Sequence, residues 1–453
     1  MKKMLSILLA ITLIFSTLSI MGVSAVTDSK TANGIFAIQE TTAPTKFEDP
    51  TTATTRSTTE ETRPKSPDSK ENIYKDFSYS VKGKAVTITK YNGNAKSVTI
   101  PSEIDGKKVR VIGKSAFRSD EINSLGLSKK NKTLEKITIP DSVYEIESYA
   151  FYKCVNLSKI TIGKNIKKLG SYAFFGCKSL KEFKIPSKVT KFTSGVLGRT
   201  GITTLHFGKN IKKITYYDLF YRELEKITVA KGNKKYSSKD GVLYNKKQTK
   251  LIFCPRALNK TTITLPNTVK EIEDFAFVNN KKLRTVNLSN VENIGMMAFD
   301  RCKNLREITI PESTKLIQEF AFSSCAKLEK ITFLNKNVEL YDCAFSSCGV
   351  KEVEVPYQSE DAFRSCPNLK KITIPPDMEI LGSKEFFNCP KLKSVTVPKT
   401  VKHIFKKALG FRYKTVDGNL KIVKVKGFTI KGVKNSAAHK YAKKNGFKFV
   451  EIN

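Results

Sequence analysis

Apolar positions recur along this chain in blocks of about 23 residues, and each block keeps the same internal spacing. One block begins with Ile137-Thr138-Ile139-Pro140, continues through Val143 and Ile146, and ends with Ala150-Phe151-x-x-Cys154-x-x-Leu157. The Ala-Phe pair returns along the chain, with its alanine at Ala116, Ala150, Ala173, Ala276, Ala298, Ala321, Ala344 and Ala362. Adjacent full copies are 22 or 23 residues apart. A fixed period in this range predicts a solenoid, because a single repeat cannot bury its own apolar face.

Each block contains one segment predicted to be a short strand. The spacing Leu134-x-x-Ile137-x-Ile139 recurs with its leucine at Leu157, Leu224, Leu283, Leu305, Leu328, Leu369 and Leu392. This spacing is typical of a leucine-rich repeat, and a proline such as Pro140 or Pro311 closes many of the strands. We therefore predict a repeat solenoid: a leucine-rich-repeat-like, right-handed coil with a parallel β-sheet on one face. It should have about 23 residues per repeat and about a dozen coils.

The outward positions of these strands form the candidate binding surface. Side chains alternate along a strand, so the branched residues point inward and the residue between them points outward. That outward residue is usually threonine, and the residue two positions earlier is often lysine. We predict that a ligand contacts this strand-bearing face at Lys136, Thr138, Lys159, Thr161, Lys330, Thr332, Lys371 and Thr373.

The ends of the chain differ in composition from the repeats. Residues 1–25 combine Lys2 and Lys3, an apolar run from Leu5 to Met21 and a small-residue cleavage site, which predicts a secretory signal peptide. A retained N-terminal anchor is the alternative.

Residues 26–72 are rich in threonine and have few apolar residues, so they are predicted to be a disordered linker. Glycosylation of these threonines is the alternative to a plain spacer. The solenoid then occupies residues 73–453, with an N-terminal cap at 73–100, and the mature chain has no transmembrane anchor.

The charge of the chain is strongly positive and lies in the repeats. The formal net charge is +38, and residues 73–453 carry all of this excess. Such a field favours anionic partners, but export argues against nucleic acid. The expected partners are proteins, acidic glycans or wall polymers outside the cell. A lysine-rich solvated face with no dedicated ligand is the alternative.

The repeat pattern resembles that of the BspA-like leucine-rich repeat family of bacterial surface and secreted proteins. The resemblance rests on the Ile-Thr-Ile-Pro strand, the Ala-Phe pair and the cysteine three residues after the phenylalanine, and it covers nearly all of 73–453. It implies a hairpin insertion at 231–260 and a C-terminal cap at 430–453, where Asn445-Gly446 should end a helix. It also implies a bacterial protein that is secreted or associated with the cell surface, and used for adhesion and protein–protein contact.

Most cysteines occupy one register of the repeat, which tests whether they form disulfides. They are Cys154, Cys177, Cys302, Cys325, Cys348, Cys366 and Cys389, whereas Cys254 and Cys343 lie outside the register. Equivalent positions in stacked coils are at least ~4.8 Å apart with parallel Cβ vectors, whereas a disulfide needs Cβ atoms about 3.8 Å apart. The register therefore predicts a column of buried free thiols that act as small apolar side chains.

No residue pattern indicates catalysis, a metal site or a cofactor. The three histidines, His206, His403 and His439, are far apart in sequence, and there is no C-x-x-C pair, phosphate-binding loop or H-E-x-x-H motif. We expect a protein that is not an enzyme and needs no cofactor. Two functions remain: an adhesin or protein-interaction module with its ligand on the strand-bearing face, or an envelope-retained structural protein bound to anionic cell-wall polymer through its basic surface.

Overall fold

The computed structural model describes residues 72–119, 133–192, 195–214, 219, 221–359 and 361–452. The predicted signal peptide and all but the last residue of the predicted linker lie outside the described residues. The described elements belong to one compact unit, Glu71–Asn453.

The described chain contains 34 short strands and one helix. From the N-terminus to the middle of the chain, the strands are β1 (Asn72–Tyr74), β2 (Phe77–Lys82), β3 (Ala85–Tyr91), β4 (Ser97–Thr99), β5 (Glu103–Ile104), β6 (Lys107–Ile112), β7 (Lys136–Thr138), β8 (Glu145–Ile146), β9 (Lys159–Thr161), β10 (Lys168–Leu169), β11 (Glu182–Lys184), β12 (Thr204–Phe207), β13 (Lys226–Val229), β14 (Tyr236–Lys239), β15 (Val242–Asn245) and β16 (Lys250–Phe253). The remaining strands are β17 (Thr262–Thr264), β18 (Glu271–Ile272), β19 (Thr285–Asn287), β20 (Asn293–Ile294), β21 (Glu307–Ile310), β22 (Leu316–Ile317), β23 (Lys330–Phe333), β24 (Glu339–Leu340), β25 (Glu352–Glu354), β26 (Gln358–Ser359), β27 (Lys371–Thr373), β28 (Ile380–Leu381), β29 (Ser394–Thr396), β30 (His403–Ile404), β31 (Phe411–Val416), β32 (Asn419–Lys424), β33 (Thr429–Gly432) and β34 (Lys448–Glu451). The helix is α1 (Ala437–Asn445).

One strand from each coil contributes to a parallel face, which we call the strand wall. Its members are β4, β7, β9, β11, β12, β13, β17, β19, β21, β23, β25, β27, β29, β33 and β34. Register follows the repeat: Ile137 pairs with Ile160 and Thr138 with Thr161. The predicted solenoid of parallel strands, with about 23 residues per turn, is confirmed. The fifteen described strands of this wall exceed the predicted dozen coils, because turns without an Ala-Phe pair, such as those of β11 and β34, also contribute strands.

The strand wall is divided into shorter ladders, whereas the sequence predicted one continuous sheet. Five hydrogen-bonded groups are present: β4-β7-β9, β11-β12-β13, β17-β19-β21-β23, β25-β27 and β29-β33-β34. One division coincides with residues 231–260, where β14, β15 and β16 form an antiparallel meander between β13 and β17. Other divisions fall between coils of regular length, as between β9 and β11, which begin 23 residues apart.

A second parallel wall was missed by the sequence analysis. Short strands line it in successive coils: the six-residue β6 and the two-residue β8 and β10 near the N-terminus, then two-residue strands β18, β20, β22, β24 and β26, and finally β28 and β30. Ile146, Ile272 and Ile317 point inward from it and are fully buried. A strand of two residues shows no alternation, so periodicity alone could not identify it.

The remaining wall consists of turns that carry the Ala-Phe pairs, and its order comes from contacts between coils. The backbone amide of Phe299 donates to the carbonyl of Ala321 at 2.7 Å, and that of Phe322 donates to Ala344 at 2.7 Å. The rings of Phe277, Phe299 and Phe322 stack at centroid distances of 4.6 and 4.8 Å, close to the spacing of neighbouring strands. The turns are therefore held at the same pitch as the two sheets.

The cysteine column is confirmed as buried and free, and the structure supplies a reason for it. All nine cysteines are free and buried. Each column thiol donates to a phenylalanine carbonyl of a neighbouring coil, such as Cys302 to Phe277 at 3.1 Å and Cys325 to Phe299 at 3.2 Å. Cysteine is thus a small apolar side chain that also satisfies a buried carbonyl. Where Asn280 replaces it, the amide nitrogen donates to the carbonyl of Pro255 at 3.2 Å.

Both ends of the stack carry elements that differ from the repeat. At the N-terminus, β2 and β3 form an antiparallel hairpin, and β3 then pairs with β6. At the C-terminus, α1 ends at Gly446, whose left-handed conformation (φ 64°) suits glycine, and β34 pairs with β33. No helix in the described part of the chain has the length and hydropathy needed to cross a bilayer.

Replacing Phe299 with alanine should lower the free energy of unfolding by about 3–5 kcal/mol, because it removes a fully buried ring from the middle of the stack. Urea unfolding followed by far-UV circular dichroism measures the change. Phe405→Ala is the control: Phe405 is 51% exposed, and its loss should cost less than about 0.5 kcal/mol. Equal losses in the two variants would contradict the role given to the phenylalanine stack.

Native protein should show almost no reaction with a thiol-specific disulfide reagent at pH 8, because burial raises the pKa of the Cys177 and Cys302 thiols to about 12. In concentrated guanidinium chloride all nine thiols should react. Rapid titration of several thiols in the folded protein would show that the column is accessible and would refute its packing role.

Candidate interaction surface

The predicted ligand-binding residues near the N-terminus form a continuous basic patch. Lys136 pairs with Lys159 and Thr138 with Thr161 in the β7–β9 ladder, and all four side chains are exposed. We call these four residues the basic patch. Two lysines directly opposite each other repel, so the patch is a site of concentrated positive charge with small hydroxyl side chains beside it.

The other predicted residues lie in a row of alternating charge. Lys330 of β23 pairs with Glu307 of β21, and Lys371 of β27 pairs with Glu352 of β25. Since β23 and β25 are neighbours, the order along the wall is Glu307, Lys330, Glu352, Lys371. We call this the alternating row. Thr332 and Thr373 lie beside it, and Thr332 is half-buried.

The structure therefore places the eight residues in two groups. Six strands, β11, β12, β13, β17, β19 and β21, lie between β9 and β23 along the strand wall. At ~4.8 Å per strand the groups are on the order of 30 Å apart. A small ligand cannot touch both groups, whereas an extended macromolecule can.

Between the two groups, His206 interrupts the threonine ladder, as the sequence indicated. It lies on β12, and its Nε2 is 2.8 Å from a carboxylate oxygen of Glu182. Its Nδ1 shares a hydrogen bond with the hydroxyl of Thr228 on β13. His206 thus links three successive strands through its side chain. Among the described residues, no cluster of three or more potential metal ligands occurs.

A half-buried polar cluster on the turn wall was missed by the sequence analysis. Arg364 donates to Asp361 at 3.3 Å and to the hydroxyl of Tyr413 at 3.0 Å, and its guanidinium lies over the ring of Phe387. Burial raises the pKa of Asp361 to about 6, although the nearby Arg364 opposes this shift. The cluster attaches the β31–β32 hairpin to the turn wall. The only sequence signal was an arginine and an aspartate beside an Ala-Phe pair.

A buried carboxylate marks a further departure from the repeat. Glu385 occupies the alanine position of its coil and is fully buried. It accepts a hydrogen bond of 3.5 Å from the backbone amide of Ala362. Its side chain lies inside the stack and contributes nothing to the exposed surface.

The geometry of the strand wall suits reversible recognition. The side chains of both groups are exposed or half-buried, regularly spaced and fixed to a rigid ladder, and their chemistry is limited to charge pairing and hydrogen bonding by hydroxyls. A parallel sheet on one wall of a repeating coil, with this leucine spacing, defines a leucine-rich repeat protein.

Comparison with known proteins then identifies the particular family. The model of the BspA type leucine rich repeat region matches residues 129–245, 252–361 and 357–425. Because these matches cover more than half of the chain, the protein belongs to the BspA-type leucine-rich repeat family. No curated protein sequence matches the chain significantly.

Two solved structures show the same fold. The pneumococcal vaccine antigen PcpA is 20% identical, with a TM-score of 0.53, over 84% of this chain and 98% of that chain. A leucine-rich repeat protein from Bacteroides ovatus is 18% identical, with a TM-score of 0.50, over 85% of this chain and 100% of that chain.

The two groups of lysines should respond oppositely to charge reversal. Lys136→Glu replaces a like-charge pair with an attractive pair to Lys159, so it should stabilise the fold by about 0.2–1 kcal/mol. Lys330→Glu places a third carboxylate between Glu307 and Glu352 and should destabilise by a similar amount. Thermal unfolding at low salt measures both changes, and 1 M NaCl should remove most of each. Shifts of the same sign would contradict this pattern of charges.

Proposed function

We propose that this protein is a secreted or cell-surface adhesin, a non-enzymatic module that binds an extracellular protein through its strand wall. The observation that carries the proposal is the basic patch: four exposed side chains in register on a rigid ladder, with no bulky residue among them. A partner can approach such a surface closely and meet it with charge complementarity and hydrogen bonds.

The alternating row extends this proposal to a large partner. Lys330, Thr332, Lys371 and Thr373 lie in line with the basic patch but on the order of 30 Å away. A folded protein or a long acidic glycan spans that distance. The alternation of Glu307, Lys330, Glu352 and Lys371 imposes a register on the partner, since a displaced partner would place like charges together.

The net charge of +38 favours a second candidate function. Under this alternative, the protein is a structural component of the envelope, retained on anionic cell-wall polymer by its overall field. Such retention needs no particular face of the protein. It depends only on electrostatic attraction, which salt weakens by screening.

Salt and charge reversal distinguish the two functions. Binding of the mature full-length protein is measured by surface plasmon resonance on lipoteichoic acid and on a panel of extracellular glycoproteins, at 0.15 M and 1 M NaCl. For an adhesin, at least one glycoprotein should remain bound at 1 M NaCl, where screening shortens to ~3 Å. Reversing Lys136 and Lys159 to glutamate should weaken that binding at least tenfold.

The control reverses Lys212 and Lys213, which are exposed and lie outside the strand wall. It makes the same change in net charge and should alter adhesin binding less than twofold. If both double variants weaken binding equally, and 1 M NaCl abolishes it, the adhesin proposal fails and the wall-polymer function stands. Release of the protein from intact producing cells by a 1 M NaCl wash would then be expected.

A further inference from the structure

One coil of the solenoid is shorter than its neighbours. In the coil of β23, Lys330 and Ala344 are 14 positions apart, as are Lys136 and Ala150 in the coil of β7. In the coil of β25, the equivalent Glu352 and Ala362 are only 10 positions apart. Four residues are therefore missing between the strand wall and the turn wall of this coil.

Three of the missing residues come from the corner that leads into the second wall, and the fourth from the segment between β26 and Ala362. In the coils on either side, this corner carries a buried apolar residue, Val338 before and Met378 after. The short coil instead passes from Pro356 through Tyr357 directly into β26, and the Tyr357 amide donates to the Lys336 carbonyl at 2.9 Å. A surface notch remains, lined by Asn337, Tyr357, Asp377, Met378, Glu379 and Ile380. We call this cavity the corner notch.

The stack is looser at the corner notch than in the described coils directly before it. Strand β26 pairs with β24, and β28 pairs with β30, but β26 and β28 are not hydrogen-bonded to each other. The ring spacing of the phenylalanine column rises from 4.9 Å between Phe322 and Phe345 to 5.4 Å and then 5.9 Å on the two sides of Phe363. The facing edges of β26 and β28 therefore lack a strand partner.

The side chains around the corner notch combine apolar and acidic character. Ile380 is 49% exposed, and Tyr341 and Tyr357 are half-buried. Glu319 and Glu339 line the continuation of the cavity along the second wall. Within the described part of the chain, Glu319, Glu339 and Asp377 form no ion pair, whereas Glu379 is paired with Lys402 at 2.6 Å. On a protein of net charge +38, three such carboxylates around an apolar floor form a local concentration of unpaired negative charge.

We propose that the corner notch is a second docking site, which accepts an extended basic segment of a partner protein. Apolar side chains of that segment lie on Tyr357 and Ile380, and its lysines or arginines pair with Glu339 and Asp377. The partner's backbone meets the edges of β26 and β28, as in recognition by strand addition. The carboxylates repel the acidic polymers that the rest of the surface attracts, so this site and the strand wall select partners of opposite charge.

The test uses a synthetic peptide, acetyl-Lys-Ile-Lys-Val-Lys-Ile-Lys-amide, and isothermal titration calorimetry of the full-length protein at 0.15 M NaCl. We expect saturable binding with one site. The variant Glu339→Lys with Asp377→Lys should weaken binding at least tenfold, and so should Ile380→Asp alone. A peptide with serine in place of isoleucine and valine should bind at least tenfold more weakly than the parent.

The matched control is Glu223→Lys with Glu225→Lys, which makes the same change in charge at two exposed positions outside the notch. It should change the affinity less than twofold. If it weakens binding as much as the notch variant, or if the serine peptide binds equally well, the interaction is general electrostatic attraction and the proposal fails. Circular dichroism of each variant establishes that it is folded before its affinity is interpreted.

Two further measurements separate peptide docking in the notch from self-association and from binding at the strand wall. Sedimentation velocity of the protein without peptide tests self-contact: a dimer that the notch variants abolish would mean that a second copy occupies the notch, which overturns the proposed partner. The Lys136→Glu, Lys159→Glu variant should bind the peptide within twofold of the native protein, because the strand wall lies outside the notch. A failure of adhesin binding at the strand wall would therefore leave the corner-notch proposal standing. Likewise, a failure of peptide binding at the notch would leave the adhesin proposal standing.

Discussion

A coil of about 23 residues cannot enclose an apolar core, so each coil of this protein depends on the coils above and below it. The dependence is visible in the backbone, where amides of one turn donate to carbonyls of the next, as from Phe299 to Ala321. It is equally visible in the side chains, since phenylalanine rings stack on rings at the pitch of the strands. Stability therefore accumulates through interfaces between neighbours, as in other repeat proteins.

Stacking also converts the choice of one residue into a row of identical groups. Inside the solenoid, the row of cysteines satisfies a row of phenylalanine carbonyls, which explains why a small, weakly donating side chain recurs at that position. Outside, the same geometry brings lysine opposite lysine in the basic patch, and lysine opposite glutamate in the alternating row. The interior rows are favourable because identical side chains of neighbouring coils pack against each other. The exterior rows instead present charged groups to a partner.

Departures from the repeat are the places where new properties arise. Arg364 and Asp361 form a half-buried pair, and Arg364 also holds the β31–β32 hairpin through Tyr413. A coil shortened by four residues opens the corner notch, and a group of unpaired carboxylates lines it. The regular coils provide a rigid scaffold, and the irregular coil determines which part of the second wall can accept another chain.

The sequence by itself determined the class of fold, the period, the parallel strand wall, the burial of the Ala-Phe pairs and the column of free thiols. These features repeat many times, so agreement between copies outweighs the ambiguity of any one strand. It also placed Lys136, Thr138, Lys159 and Thr161 on an exposed face, since alternation along a strand is a local property.

Only the tertiary structure decided how these local features combine. It revealed a second wall of two-residue strands, the division of the strand wall into separate ladders, and the distance between the two groups of lysines. It also showed that Lys136 faces another lysine while Lys330 lies between glutamates. The physical reason is that contacts between coils depend on which residues neighbouring coils place side by side. A deletion of four residues in one coil leaves no ladder between β26 and β28, and no periodicity within a single repeat records that change.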